Sequence, residues 1–171
     1  MKLAWSRRGF LVGLFVLFVA IYPATAQQNI NWKSLSEAQE LAKENGKKVM
    51  LFAEAEWCGY CQKMYKEVFP NQTVQDSLHK YFYPVKVDIE SDQKIVFNGS
   101  SLTKRQLARK FRVSSTPTFI FLDQDGNTIG RQPGFLPTDI FDKLVAFVGS
   151  DLTGKQSFKQ YLKKHGVDIS R

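Results

Sequence analysis

An apolar run, Val49 to Ala53, carries the chain through Glu54-Ala55-Glu56 into Trp57-Cys58-Gly59-Tyr60-Cys61, whose two cysteines are the only ones among 171 residues. A short apolar run bounded by polar residues reads as a fully buried central strand. Two thiols separated by two residues can close a small disulfide when they sit at the first turn of a helix. There the first sulfur meets backbone N–H groups without intrahelical partners and the positive end of the helix dipole. That setting favours thiolate over thiol, and the thiolate is the species that attacks disulfides. A redox-active Cys58–Cys61 pair is the first expectation.

The remaining composition narrows the rivals. A tetrahedral zinc site takes about four ligands, commonly two such cysteine pairs or one pair with two spaced histidines. This chain offers one pair and two isolated histidines, His79 and His165, both on polar helical stretches where a solvated side chain is expected. No metal site and no cofactor are therefore expected. A structural disulfide is a second reading, although framework bridges in small secreted domains usually come several at a time. A thiol pair that hands on Cu(I) is a third, because soft sulfur ligands suit that ion.

Residues 1–26 read as an export signal. Lys2, Arg7 and Arg8 form a basic start, and Phe10 to Tyr22 is an apolar run too short to span a bilayer. Pro23 breaks it, and Ala24-Thr25-Ala26 supplies a small-x-small cleavage site, with cleavage expected after Ala26. Ser6-Arg7-Arg8-Gly9-Phe10-Leu11 is also similar to a twin-arginine signal, so the export route stays open. The destination expected is the periplasm. Loss of this segment leaves 145 residues (27–171), suited to one domain with a sizeable core, and lowers the formal charge from +8 to +5. The lysines are spread over every expected helix with no basic-aromatic stripe, so nucleic acid is not an expected partner.

The order of elements follows from period and punctuation. Ile30 to Lys33 suits a short first strand, and Ser34 with Glu37 forms a capping-box pattern before a helix that Gly46 can end. After the Val49–Ala53 strand, a helix is expected over Gly59–Phe69 and a second through His79, separated by Pro70-Asn71. Tyr83–Ile89 reads as a strand, and Lys94–Phe97 with Asn98-Gly99 as an added strand and turn. Leu102–Phe111 reads as an amphipathic helix and Thr118–Leu122 as a core strand. Asp125-Gly126 turns the chain into Thr128–Arg131. Helices over Thr138–Val148 and about Lys155–His165 close the chain. This is an α/β pattern, a central mixed sheet flanked by helices.

With these residues in view, the chain resembles the thioredoxin-like superfamily. The likeness rests on the strand running into Trp57-Cys58-Gly59-Tyr60-Cys61 and on Thr116-Pro117-Thr118 opening a strand about sixty residues later. The Asp125-Gly126 hairpin and closing helix follow in order, and the resemblance covers about Asn31 to Gly149. Within the superfamily the chain is similar to the periplasmic SoxW-type thioredoxins, through Leu51-Phe52-Ala53-Glu54, Cys61-Gln62-Lys63-Met64 and the inserted Phe97-Asn98-Gly99 segment. Gly-Tyr between the cysteines is also what the catalytic domains of DsbC-like isomerases carry. The resemblance implies a thioredoxin fold with an N-terminal strand-helix extension and a small inserted strand before the Leu102–Phe111 helix.

It also implies roles. Cys58 would be the nucleophile and Cys61 the resolving thiol, forming the redox-active disulfide between them. Pro117 would be a cis-proline, and Trp57, Tyr60, Thr116 and Pro117 would form the substrate surface. Many thioredoxins keep a buried aspartate in the strand before the motif, and Phe52 occupies that position here. Glu54 lies two residues further on the same sheet face and could assist proton transfer to Cys61. The expected activity is that of an exported thiol–disulfide oxidoreductase, a reductase of protein disulfides, acting as a monomer. Its expected partners are disulfide-bearing or dithiol envelope proteins and a membrane electron donor of the DsbD type. A dithiol oxidase or isomerase with the same site, or a Cu(I)-handling protein, remains the alternative.

Overall fold

Strand β1 (Lys48–Glu54) is the element on which the others assemble. It runs parallel to β2 (Phe82–Asp88), with Lys48 beside Phe82 and Glu54 beside Asp88. On its other side it runs antiparallel to β5 (Thr118–Leu122), with Val49 opposite Leu122 and Ala53 opposite Thr118. β6 (Thr128–Pro133) pairs antiparallel with β5, giving the strand order β2-β1-β5-β6. The computed structural model describes residues 29–167, and the expected signal segment 1–26 lies outside the described residues.

Because β1 and β5 lie inside the sheet and are covered on both faces, they read as unbroken apolar runs rather than alternating ones. Met50, Phe52, Phe119 and Phe121 pack on one face with the motif helix α2 (Gly59–Lys63), α3 (Gln72–Tyr81) and α5 (Thr138–Gly149). Val49, Leu51, Ala53, Ile120 and Leu122 pack on the other with α1 (Leu35–Asn45) and α4 (Lys104–Lys110). A last helix, α6 (Phe158–Lys164), lies on α5 through the rings of Phe147, Phe158 and Tyr161.

Several elements differ from expectation for identifiable reasons. The strand expected over Ile30–Lys33 contracts to a single parallel bridge between Lys33 and Val85. Ser34 does cap α1 by accepting the Glu37 N–H, but the Glu37 carboxylate turns to the Lys33 ammonium at 2.8 Å instead of back to the cap. The helix expected over Gly59–Phe69 changes pitch: after Lys63 it continues as one π-helical turn (Met64–Val68), closed by the Phe69 N–H on the Met64 carbonyl. The inserted strand is a two-stranded hairpin, β3 (Lys94–Phe97) with β4 (Ser100–Thr103). Leu102 therefore lies in β4 and not in the helix. Thr103 caps α4 in a reciprocal box with Gln106, a start signal that outranks the apolar Leu102. His79, expected to be solvated, is half-buried, with its Nε2 buried and unpartnered.

The hairpin is fastened by Asn98 at its turn. Asn98 adopts φ +47°, donates its N–H to Gln39 Oε1 at 3.2 Å, accepts from Gln39 Nε2 and reaches the Asp125 carbonyl at 3.3 Å. Gln39 is only 8% exposed, so its amide depends on these partners. A side chain at Gly126 would collide with the Asn98 amide, 2.5 Å from a Cβ there. Asn98→Ala should lower stability in urea by about 2 kcal/mol, since it strands a buried amide. Asn98→Gly should lose about 1 kcal/mol less, because glycine adopts the left-handed backbone freely. Equal stability of wild type and Asn98→Ala would show that the fastening carries no energy.

Candidate active site

The chain leaves β1 at Glu54 and turns, with the Cys58 N–H on the Ala55 carbonyl at 3.1 Å. Cys58 keeps an extended backbone (φ −78°, ψ 98°) and stands as the cap of α2, its Sγ accepting the Cys61 N–H at 3.0 Å. A sulfur here takes the place that Ser, Thr, Asp or Asn usually fills at a helix start. The two sulfurs are joined as a disulfide across a Cα–Cα distance of 5.2 Å. Cys61 is fully buried, whereas Cys58 retains 4% exposure. Trp57 and Tyr60, by contrast, are 68% and 62% exposed.

Two further segments belong to this end of the sheet. The Thr116–Pro117 bond is cis, and β5 begins immediately after it. The Pro117 carbonyl accepts the Gly134 N–H at 2.8 Å, which ties the segment after β6 to the proline. Phe135, next in the chain, stacks on Tyr60 with ring centroids 6.0 Å apart, and the Lys63 ammonium lies 4.6 Å from its ring centre. Thr116 Oγ1 is buried without a partner.

Beneath the motif helix the sheet presents rings. Phe52 packs against Trp32, Tyr65, Phe69 and Phe119 at centroid distances of 5.1–5.9 Å, in the same buried cluster as Cys58, Cys61 and Met64. Glu54 lies at the edge of this cluster and its carboxylate accepts the Tyr65 hydroxyl at 2.6 Å. Its partner is thus Tyr65 rather than either sulfur. Burial first, and then the hydrogen bond to Glu54 and its charge, push the Tyr65 phenol well above its ordinary range. The Lys86 ammonium lies over both Trp32 and Tyr65, 5.2 and 5.1 Å from the ring centres.

Tyr65 and Phe135 escaped the sequence reading, and Lys63 entered it only within the run Cys61-Gln62-Lys63-Met64, with no role of its own. Tyr65 and Lys63 follow Cys61 on the motif helix, so their spacing was available as a signal. Phe135 reaches Tyr60 only through the tertiary fold, and no local pattern marks it. Among the described residues, no group of three or more His, Cys, Asp and Glu side chains is placed to hold a metal ion.

A central mixed sheet, a disulfide at the start of the helix after its middle strand, and a cis-proline at the next strand define a thiol–disulfide oxidoreductase of thioredoxin fold. The chain belongs to the thioredoxin-like domain family, whose description matches residues 35–149. It is 35% identical over 112 residues to the thiol:disulfide interchange protein DsbD of Actinobacillus pleuropneumoniae, covering 64% of this chain but only 18% of that protein. It is 32% identical over 117 residues to the disulfide bond reductase DsbH of Chlamydia pneumoniae, covering 66% of this chain and 67% of that one. A solved thioredoxin from Thermus thermophilus superposes with a TM-score of 0.58 at 29% identity, over 75% of this chain and 97% of its own.

The Tyr65 arrangement has a pH signature. A phenol whose folded value is raised contributes stability that is complete below the ordinary tyrosine value of about 10 and is lost as pH rises above it. In an absorbance titration Tyr65 should ionise above the ordinary tyrosine value of about 10. Glu54→Gln should bring its titration part of the way back, since burial remains while the charge is gone. An unchanged titration in Glu54→Gln would mean that the carboxylate does not act on the phenol.

Proposed function

We propose that the protein is an exported reductase of protein disulfides in which Cys58 attacks and Cys61 resolves. The observation that carries this reading is the Cys58 sulfur capping its own helix, bonded to a cysteine that has no exposure. In the reduced protein the Cys58 thiolate would receive the same Cys61 N–H, a charge-assisted bond at a helix start. It attacks one sulfur of a substrate disulfide, forming a mixed disulfide and releasing one substrate thiolate. Cys61 then loses its proton and attacks Cys58 Sγ, releasing the second substrate thiolate. Two electrons pass to the substrate and leave the Cys58–Cys61 disulfide.

A charge on Cys61 is poorly solvated among rings, so its deprotonation needs a base. Glu54, held at the edge of the ring cluster by Tyr65 and on the strand face of Phe52, is assigned that proton. Trp57, Tyr60, Thr116 and Pro117 form the surface that receives the substrate. The reductase name of the DsbH relative favours the reducing direction. A dithiol donor at the membrane, of the DsbD type, would return the protein to its reduced form, and its substrates would be disulfides of envelope proteins.

With dithiothreitol as electron source the protein should reduce insulin disulfides, and Cys58→Ser should abolish the activity. Cys61→Ala should accumulate the mixed disulfide on Cys58. A reduction potential near −270 mV, rather than near −120 mV, is expected on the scale of known relatives. Full activity in Cys58→Ser would overturn the reading, as would stoichiometric Cu(I) binding by a protein that reduces nothing. Export is tested separately: the protein recovered from the cell envelope should begin at Gln27, and a product still carrying residues 1–26 would contradict the assigned cleavage.

A further inference from the structure

Trp57 and Tyr60 are the most exposed large apolar side chains among the described residues, and both belong to the cysteine motif. A charged or small residue at either position would fill the same exposed site at no loss to the core. Tyr60 does not stand free. Its ring lies at 28° to that of Phe135, and Phe135 is held from the same helix by Lys63, one turn beyond. Phe135 is in turn placed by Gly134, whose φ of +88° suits glycine and whose N–H is fixed to the Pro117 carbonyl. The stacked pair therefore joins the motif helix to the cis-proline segment, and it leaves most of one aromatic side chain facing solvent beside Cys58. Exposed apolar surface of this kind gains when a bulky partner covers it.

We propose that Tyr60 and Phe135 form a subsite that selects disulfides whose cysteine is followed or preceded by a bulky apolar side chain. The proposal rests on the reductase reading of Cys58 and adds a substrate preference to it. Phe135 is the specificity-determining residue: it supplies the second ring and fixes the first. An aromatic or leucine side chain laid on the pair gains contact area that serine cannot offer, worth about tenfold in kcat/KM between two such substrates.

The test uses the full reduced protein and two synthetic peptide disulfides that differ only beside the cysteine, phenylalanine in one and serine in the other. Hydroxyethyl disulfide, which carries no side chain for the subsite, serves as the reference substrate. Wild type should prefer the phenylalanine peptide about tenfold, and Phe135→Ala should bring the ratio to within about twofold of unity. Tyr60→Ser, which removes the first ring at an exposed position, should do the same. Val96→Ser removes an exposed apolar residue on the β3–β4 hairpin and should keep the ratio. A wild type without preference, or a preference that survives both Phe135→Ala and Tyr60→Ser, overturns the subsite while hydroxyethyl disulfide is still reduced. Failure to reduce even hydroxyethyl disulfide would remove the reductase reading itself, and the subsite with it.

Discussion

One hydrogen bond organises this site: the Cys61 N–H donated to the sulfur of Cys58. It makes a cysteine the cap of the motif helix, so the group that carries negative charge in the proposed mechanism stands where a helix start best accommodates it. Everything else in the fold serves to place that cap. β1 is buried on both faces and paired on both edges, which leaves it no freedom to shift the loop that follows. The cis-proline segment and the Gly134–Phe135 segment then close on the same end of the sheet from β5 and β6.

The surroundings of the second cysteine are apolar and aromatic. Phe52 stands where many thioredoxins keep an acid, and the space beneath the helix is filled by rings. An unpaired carboxylate in that cluster would be costly to ionise. The carboxylate at the strand end is that of Glu54, where Tyr65 satisfies one of its oxygens.

Much of this was legible in the sequence because it is local. β5 could be read residue for residue, since a run from Thr118 to Leu122 buried on both faces has no polar interruption to blur it. The cysteine spacing and Thr116-Pro117 likewise declared themselves. What escaped is set by competition between neighbours or by distance in the chain. Leu102 fits a helical stripe, but Thr103 with Gln106 starts the helix later. Glu37 fits a capping box, but Lys33 lies within reach and takes its carboxylate. The stack of Tyr60 on Phe135 depends on packing between elements far apart in sequence, which periodicity does not report.

The most direct measurement is the alkylation rate of Cys58 against pH in Cys61→Ala, which removes the competing thiol and keeps the capping N–H. Half-maximal reactivity well below the value of about 8.5 found for free cysteine is the predicted result. Reactivity rising only at or above that value would contradict the account, because the cap would then confer no advantage on the charged sulfur.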